Sequence, residues 1–563
     1  MQSVNLSFIA STALLVAAWL AWNHYPPWPA AHSELLAALS AAALGMNAFR
    51  IARSSASLLV GYPAIFFLAL ALIPMLQLAA GEIHFAGDAW IAFLYLACAA
   101  LAIQWSAQAC EQSGDSWPAS LAWALMTAAL LSSGIAFVQQ WRVSVGALDL
   151  YFAAVPPGHA PFANLAQPNL LATLLALGLA AALFLFEMRR ISAVTASIVA
   201  LPMTLALVMT QSRTALLLFA AMIGWHVAMR RRAHLRTPFT VILAFAIGWA
   251  ALFLAWPQVV EGMDLWTAQS TASRLRSGPR TILWPQLIDA AMRSPWFGYG
   301  WNQISEAQIV VAADYPRTRY VESAHNLLLD MALWNGLPLA LLIVGIAVFW
   351  LLRSAIRVRS KPGAFALLVI LLLLAHAMVE LPLDYLFFLV PFAFAIGILS
   401  HETQGASRRL TVPASANTVA LLVFSVVTVI AAVDYWRVEE AFREMRLMVA
   451  QIGRPMAESP PRALHTEFTQ LAAYHRFALT TPRVGMRPEE LEWMRHVSHR
   501  YAYAPSLYKY ALAQALNGDI DGARLTLLQM KQLHGEIPYA QAHEELVRFA
   551  VSKYPALRAL VIP

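Results

Sequence analysis

Residues 323–361 read SAHNLLLDMALWNGLPLALLIVGIAVFWLLRSAIRVRSK. Polar residues open the stretch, an apolar run fills about 326–350, and Arg353, Arg357, Arg359 and Lys361 close it. About 20 helical residues cross a hydrocarbon core of about 30 Å, so a run of this length predicts a membrane-spanning helix. A barrel strand would alternate in polarity, and this run does not.

The same pattern recurs outward in both directions. Spans are expected at about 4–22, 35–50, 58–80, 89–109, 117–140, 164–187, 192–210, 214–229, 238–256, 326–350, 364–380, 385–400 and 416–433. The chain of 563 residues is 60% hydrophobic and 12% charged, with mean hydropathy +0.59, whereas soluble domains carry about 25% charge. The first run lacks a basic leader and a small-x-small cleavage site, which predicts an uncleaved first span. The fold expected is all-α: a polytopic membrane protein of about thirteen spans, a large outer loop and a small C-terminal helical domain.

Loop charge orients the spans. Basic clusters follow the even-numbered spans: Arg50 and Arg53, Arg189 and Arg190, Arg230 to Arg232 with Arg236, Arg353 to Lys361, and Arg408 with Arg409. Only the loop Glu111 to Trp117 has none. The positive-inside rule then puts the N-terminus inside, and the loop 257–325 and the tail 434–563 outside. It also accounts for the net charge of +7 without a nucleic-acid partner. The division expected is 1–163, a core at 164–433, and a polar tail at 434–563. Within the tail, Ala504 to Gly535 reads as helix, Gly518-Asp519 turn and helix, like one tetratricopeptide hairpin.

Cys98 and Cys110 share one span. Twelve residues at about 1.5 Å put them about 18 Å apart, beyond a disulfide's reach. Neither a phosphate loop, a dinucleotide fingerprint nor HExxH spacing occurs. Asp314, Glu306 and Glu322 offer oxygen ligands, but nothing in their spacing requires a cation. No cofactor and no metal is expected.

Polar residues concentrate at outer span ends. Arg213, in TQSRTALL, sits in a very short connection, where a charge needs a partner or an aqueous cavity. The outer loop carries Arg274, Arg276, Arg280, Arg293, Arg317 and Arg319, against the inside bias. Arginine's planar fork suits phosphate oxygens, and Arg280 stands out because SGPRTILWPQLIDAAMRSPWFGYG reads as an amphipathic helix followed by a glycine-rich turn. The other five read as a solvated face. His325 opens the tenth span near water, where imidazole can exchange protons at neutral pH, although a lone interfacial histidine is more often structural. Glu380, one turn beyond His376, reads as a cap or a buried partner. Gln167, Pro168 and Asn169 open the sixth span, where proline suits the first turn.

SRTALL, PRTILW…SPWFGYGWNQ and SAHNLLLDMALWNGLPLALL together resemble the O-antigen ligase superfamily over about Gln167 to Tyr385. AQPNLLATLL, HAMVELPLDYLFF and the tail opening AAVDYWRVEEAFR look like its protein-glycosylating branch, the pilin-glycosylation ligases or protein O-oligosaccharyltransferases. The resemblance implies an inverting glycosyltransferase of the bacterial inner membrane, independent of metal. Its donor would be an oligosaccharide on undecaprenyl pyrophosphate at the periplasmic leaflet. Its acceptor would be a Ser or Thr of a pilin or another periplasmic protein. His325 would be the essential histidine, and Arg213 and Arg280 would bind pyrophosphate. Gln167 and Glu380 match the branch's glutamine and glutamate, and Asn169, Asn326 and Tyr385 in the same motifs are expected to touch substrate. An O-antigen ligase acting on lipid A-core and an O-antigen polymerase share the arginines and the histidine. A transporter of lipid-linked sugar would show repeats and midplane polar residues, which this sequence lacks.

Overall fold

The computed structural model describes residues 5–22, 24–52, 57–263, 280–316, 318–403, 409–450 and 463–561. These are almost wholly helical. The chain divides into two compact units: Met1–Ala71, Leu94–Arg276 and Ala347–Ala432 form the first, and Leu72–Phe93, Ser277–Ile346 and Val433–Pro563 the second.

Among the described residues, eight helices are long and apolar enough to cross a membrane. They include Ala86–Ser113, Ser116–Trp141, Phe239–Gly262 and Leu327–Arg357. Leu6–Leu20, Ala193–Met209, Thr214–Met229 and Lys361–Ala377 are shorter apolar helices, and the expected span at 35–50 lies within the helix Ala31–Ala52. The protein is a multi-pass membrane protein by these measures. Among the described residues, Ser57–Gly61 and Arg409–Pro413 form a short antiparallel pair of strands.

In the first unit, Pro168–Glu187 and Leu386–Thr403 are central: each has 83% of its apolar window buried, against 17% for Phe239–Gly262. A helix that is apolar all round and also enclosed is a core element. Cys98 and Cys110 are both buried thiols in this unit.

The two ends of Pro168–Glu187 differ in chemistry. At its C-terminal end the buried Glu187 accepts hydrogen bonds from the backbone N–H of Arg236 (2.6 Å) and Thr237 (2.8 Å) and from the Thr237 hydroxyl (2.6 Å). The Lys361 ammonium lies 3.6 Å from the same carboxylate. Three loops that the charge pattern assigns to one side thus meet at one end of the helix. Twenty residues at about 1.5 Å put the other end about 30 Å away, one hydrocarbon core distant.

In the second unit, the helices Ala504–Leu516 and Ile520–His534 form the hairpin expected from sequence. Gly518 takes φ +92°, and the Asp519 side chain accepts from the Gly522 N–H, capping the second helix. Leu507, Ala511, Leu527 and Met530 share a core with Ile309 and Ala312 of the helix Ile304–Ala312. The Gln529 amide also donates to the Ile309 carbonyl (3.1 Å). The Arg500 guanidinium grips Asp88 with two 2.8 Å bonds, both groups being largely buried. Together these contacts join the C-terminal segment to the loop helix and to the start of Ala86–Ser113.

Candidate functional site

The polar end of Pro168–Glu187 carries the first cluster. Pro168 occupies the first turn, where its missing N–H costs nothing, and Gln167 stands at the N-cap position in extended conformation without a side-chain cap bond. Glu380 is 5% exposed. Its carboxylate accepts from the Asn169 amide (2.9 Å) and the Gln167 amide (3.3 Å). One turn away, the Thr173 hydroxyl meets His376 Nδ1 at 2.7 Å. Residues four apart on one helix share a face, so Asn169 and Thr173 match Glu380 and His376 turn for turn.

Asn169 extends the network, because its carboxamide oxygen accepts from the Ser212 hydroxyl (2.6 Å). Arg213 follows directly, exposed, as the N-cap residue of Thr214–Met229. A cation at a helix start opposes the dipole, so Arg213 does not stand there for the helix's benefit. What the position does favour is an anion, since helix N–H groups and the guanidinium add their positive potential. Tyr385 closes the turn Pro382–Asp384, with its ring stacked 5.0 Å from Phe387. The structure therefore brings Gln167, Asn169 and Glu380 into one network. It adds Thr173, Ser212 and His376, which sequence reasoning had not assigned; Ser212 carried a signal, being a hydroxyl beside the lone arginine of an apolar connection.

The second cluster lies in the second unit around His325. Its backbone takes φ +53°, a left-handed conformation unusual for a residue with a side chain. Asp330 holds the turn: its carboxylate, 3% exposed, accepts from the Ala324 N–H (2.7 Å) and the Ser323 hydroxyl (2.9 Å). Ser323 Oγ in turn accepts from the His325 N–H (3.0 Å). The Asn326 side chain accepts from the N–H groups of Leu328 and Leu329, both at 3.1 Å, and so caps the next helix. That cap engages the carboxamide oxygen of Asn326, a residue expected to touch substrate.

The Trp284 indole donates to the Ala324 carbonyl (2.9 Å) and ties the helix Arg280–Arg293 to the His325 turn. Arg280 begins that helix, four residues before Trp284, or about 6 Å along the axis. Like Arg213, it stands at a helix start. Arg293 is accounted for by Asp314 (2.7 Å) and Asp289 (2.9 Å), which hold its guanidinium above the usual range. Arg319 is exposed, and Arg274, Arg276 and Arg317 lie outside the described residues.

The glycines of SPWFGYGWNQ and ALWNGLP bring the two motifs into backbone contact. Gly298 and Gly336 both take positive φ, +73° and +74°. A Cβ on Gly336 would lie 2.3 Å from the Trp296 carbonyl oxygen, and one on Gly298 2.4 Å from that of Leu333. Only glycine permits this backbone approach, and it breaks the helix Leu327–Arg357 at Gly336. Two bonds of 2.7 Å, Tyr299 N–H to Leu333 and Leu337 N–H to Pro295, seal the contact.

Residues 198–344 match the family model described as O-antigen ligase. Residues 161–186 match that of a protein glycosylation ligase, and 364–547 that of the C-terminal part of a virulence factor membrane-bound polymerase. A general O-oligosaccharyltransferase of Acinetobacter baylyi is 28% identical over 94% of this chain and 92% of its own length. A ComP-specific O-oligosaccharyltransferase of the same organism is 26% identical over 60% of this chain and 61% of its own.

Proposed function

We propose that this chain is an O-oligosaccharyltransferase of the O-antigen ligase superfamily and that it glycosylates proteins. The donor is an oligosaccharide carried on undecaprenyl pyrophosphate, transferred en bloc to a Ser or Thr hydroxyl of a pilin or another periplasmic protein. The protein sits in the bacterial inner membrane with about thirteen spans. Its clusters and the segment 434–563 face the periplasm. The observation that carries the protein-acceptor reading is local. The segment matched to a protein glycosylation ligase, 161–186, supplies the Gln167 and Asn169 that hold Glu380.

In the proposed reaction the acceptor hydroxyl attacks the anomeric carbon from the face opposite the pyrophosphate. A C–O bond forms, the sugar–phosphate C–O bond breaks, and the anomeric configuration inverts. The hydroxyl proton passes to a base, the role given to His325 at its half-buried turn. Negative charge grows on the departing pyrophosphate, and Arg213 and Arg280 at their helix starts stabilise it. Such preorganised cations serve where other phosphate-leaving reactions use a divalent ion, so the transfer step needs none. Gln167, Asn169, Glu380 and Tyr385 order the donor side, and Asn326 shapes the turn.

The polymerase-type match at 364–547 favours a second reading, in which the acceptor is another lipid-linked glycan. Co-expression with a lipid-linked glycan and candidate acceptors separates the readings. Glycan on a periplasmic protein is expected. Glycan on lipid A-core alone, or longer lipid-linked chains alone, would overturn the proposal.

A further inference from the structure

Three segments distant in sequence converge at a second polar cluster in the second unit. His84 lies in the turn after Tyr62–Ala80, Glu306 on the helix Ile304–Ala312, and His496 on the helix Pro488–Arg500. One ligand atom from each lies within 4.8 Å of the other two. The His84 and His496 rings are 3.7 Å apart between centroids and tilted by 50°.

Two features of this cluster call for an occupant. First, Glu306 Oε2 is bonded to His499 Nδ1 (3.1 Å), but its buried Oε1 has no hydrogen-bond partner among the described residues. A buried carboxylate oxygen left unpaired is costly, and structures rarely leave one so. Second, each of the three side chains offers a ligand atom close to those of the other two, a set of two imidazoles and one carboxylate that a single divalent cation would satisfy at once.

We propose that His84, Glu306 and His496 bind a divalent transition-metal ion of the zinc type. Two imidazole nitrogens and one carboxylate oxygen suit zinc, leaving a fourth position for water. Tetrahedral ligands at about 2.0–2.1 Å from zinc lie about 3.4 Å from one another, so the ligands must draw in by about an ångström. His84 is exposed and can swing to do so. Glu492 stands behind, its Oε1 3.0 Å from His496 Nε2 and its carboxylate held by Arg495. It supplies the second negative charge and fixes the imidazole's orientation, as carboxylates do behind metal-bound histidines. The ion staples the turn around His84 and the helix Pro488–Arg500 to the helix Ile304–Ala312. None of these residues belongs to the transfer chemistry proposed above, and the inference stands whether or not that reading does.

The test uses the full chain, without a polyhistidine tag, purified in detergent, stripped with a chelator and titrated with zinc. We expect one zinc ion per chain by elemental analysis and a rise in melting temperature on binding. We also expect affinity to fall by about tenfold or more in His84→Asn and in Glu306→Gln. The exposed position of His84 keeps the first variant informative even if Glu306→Gln folds poorly. Cobalt substituted for zinc should give the intense visible bands of a four-coordinate site. Substoichiometric zinc, or equal affinity in wild type and His84→Asn, would overturn the proposal.

Discussion

A buried carboxylate anchors each of the two candidate clusters, but the two act on different parts of the chain. Glu380 in the first unit accepts from side-chain amides that come from the start of another helix. Asp330 in the second accepts from a hydroxyl and a backbone N–H of a turn a few residues before it. The first fixes where polar side chains point. The second fixes the shape of the backbone and so holds His325 left-handed, at a cost of about 1–2 kcal/mol for a residue with a Cβ. Strain of that kind persists only where the surroundings over-determine it, and it gathers at functional sites. The contrast is between a strained backbone at His325 in the second unit and a side-chain network at Glu380 in the first.

The most damaging change should be at His325. His325→Ala is expected to abolish transfer, and His325→Asn to cut it by about 10²–10⁴-fold. Asparagine tolerates the left-handed backbone, so the Asn variant should melt where wild type does. Wild-type glycosylation in either variant would break the assignment. Asp330→Ala comes next. It strips the turn of its acceptor, with a stability loss of about 3 kcal/mol by chemical denaturation and a clear fall in transfer. Retained activity with lost stability would separate Asp330 from the site.

Glu380→Gln should cost about 1–3 kcal/mol, because the new amide presents a donor to one of the two donors Glu380 now accepts. Undiminished stability and transfer would mean that the network is idle. Ser212→Ala removes one bond to Asn169 and should cost about 1 kcal/mol, read as a drop of about one degree in melting temperature. The smallest effect is expected of Asn326→Asp, which keeps the cap acceptor. If transfer is unchanged there but stability falls by about 1 kcal/mol in Asn326→Ala, the residue is a cap rather than a substrate contact.

Helix content was legible because apolar runs long enough to cross a membrane admit few other structures. The hairpin of Ala504–Leu516 and Ile520–His534 was legible because Gly518-Asp519 breaks an otherwise continuous amphipathic pattern. Loop charge also picked out Arg236 and Lys361, which meet at Glu187 at one end of Pro168–Glu187. The pairing of Asn169 with Ser212 and Glu380 was not legible, since periodicity says nothing about partners 43 and 211 residues away. Asp330 did leave a trace: it is a lone acid inside an apolar run, where a charge calls for named partners. Glu306 was visible as an oxygen ligand, grouped with Asp314 and Glu322, but His84 and His496 left no trace, because each reads as surface polarity until three segments are brought together.

The most direct test of the account is reconstitution. The purified chain, a purified lipid-linked oligosaccharide and a periplasmic acceptor protein are incubated together, and the acceptor is analysed by intact-mass and site-mapping mass spectrometry. The account predicts one whole glycan added to a Ser or Thr with the wild-type chain and none with His325→Asn. An unmodified acceptor with the folded wild-type chain, or an equally modified one with His325→Asn, would contradict it.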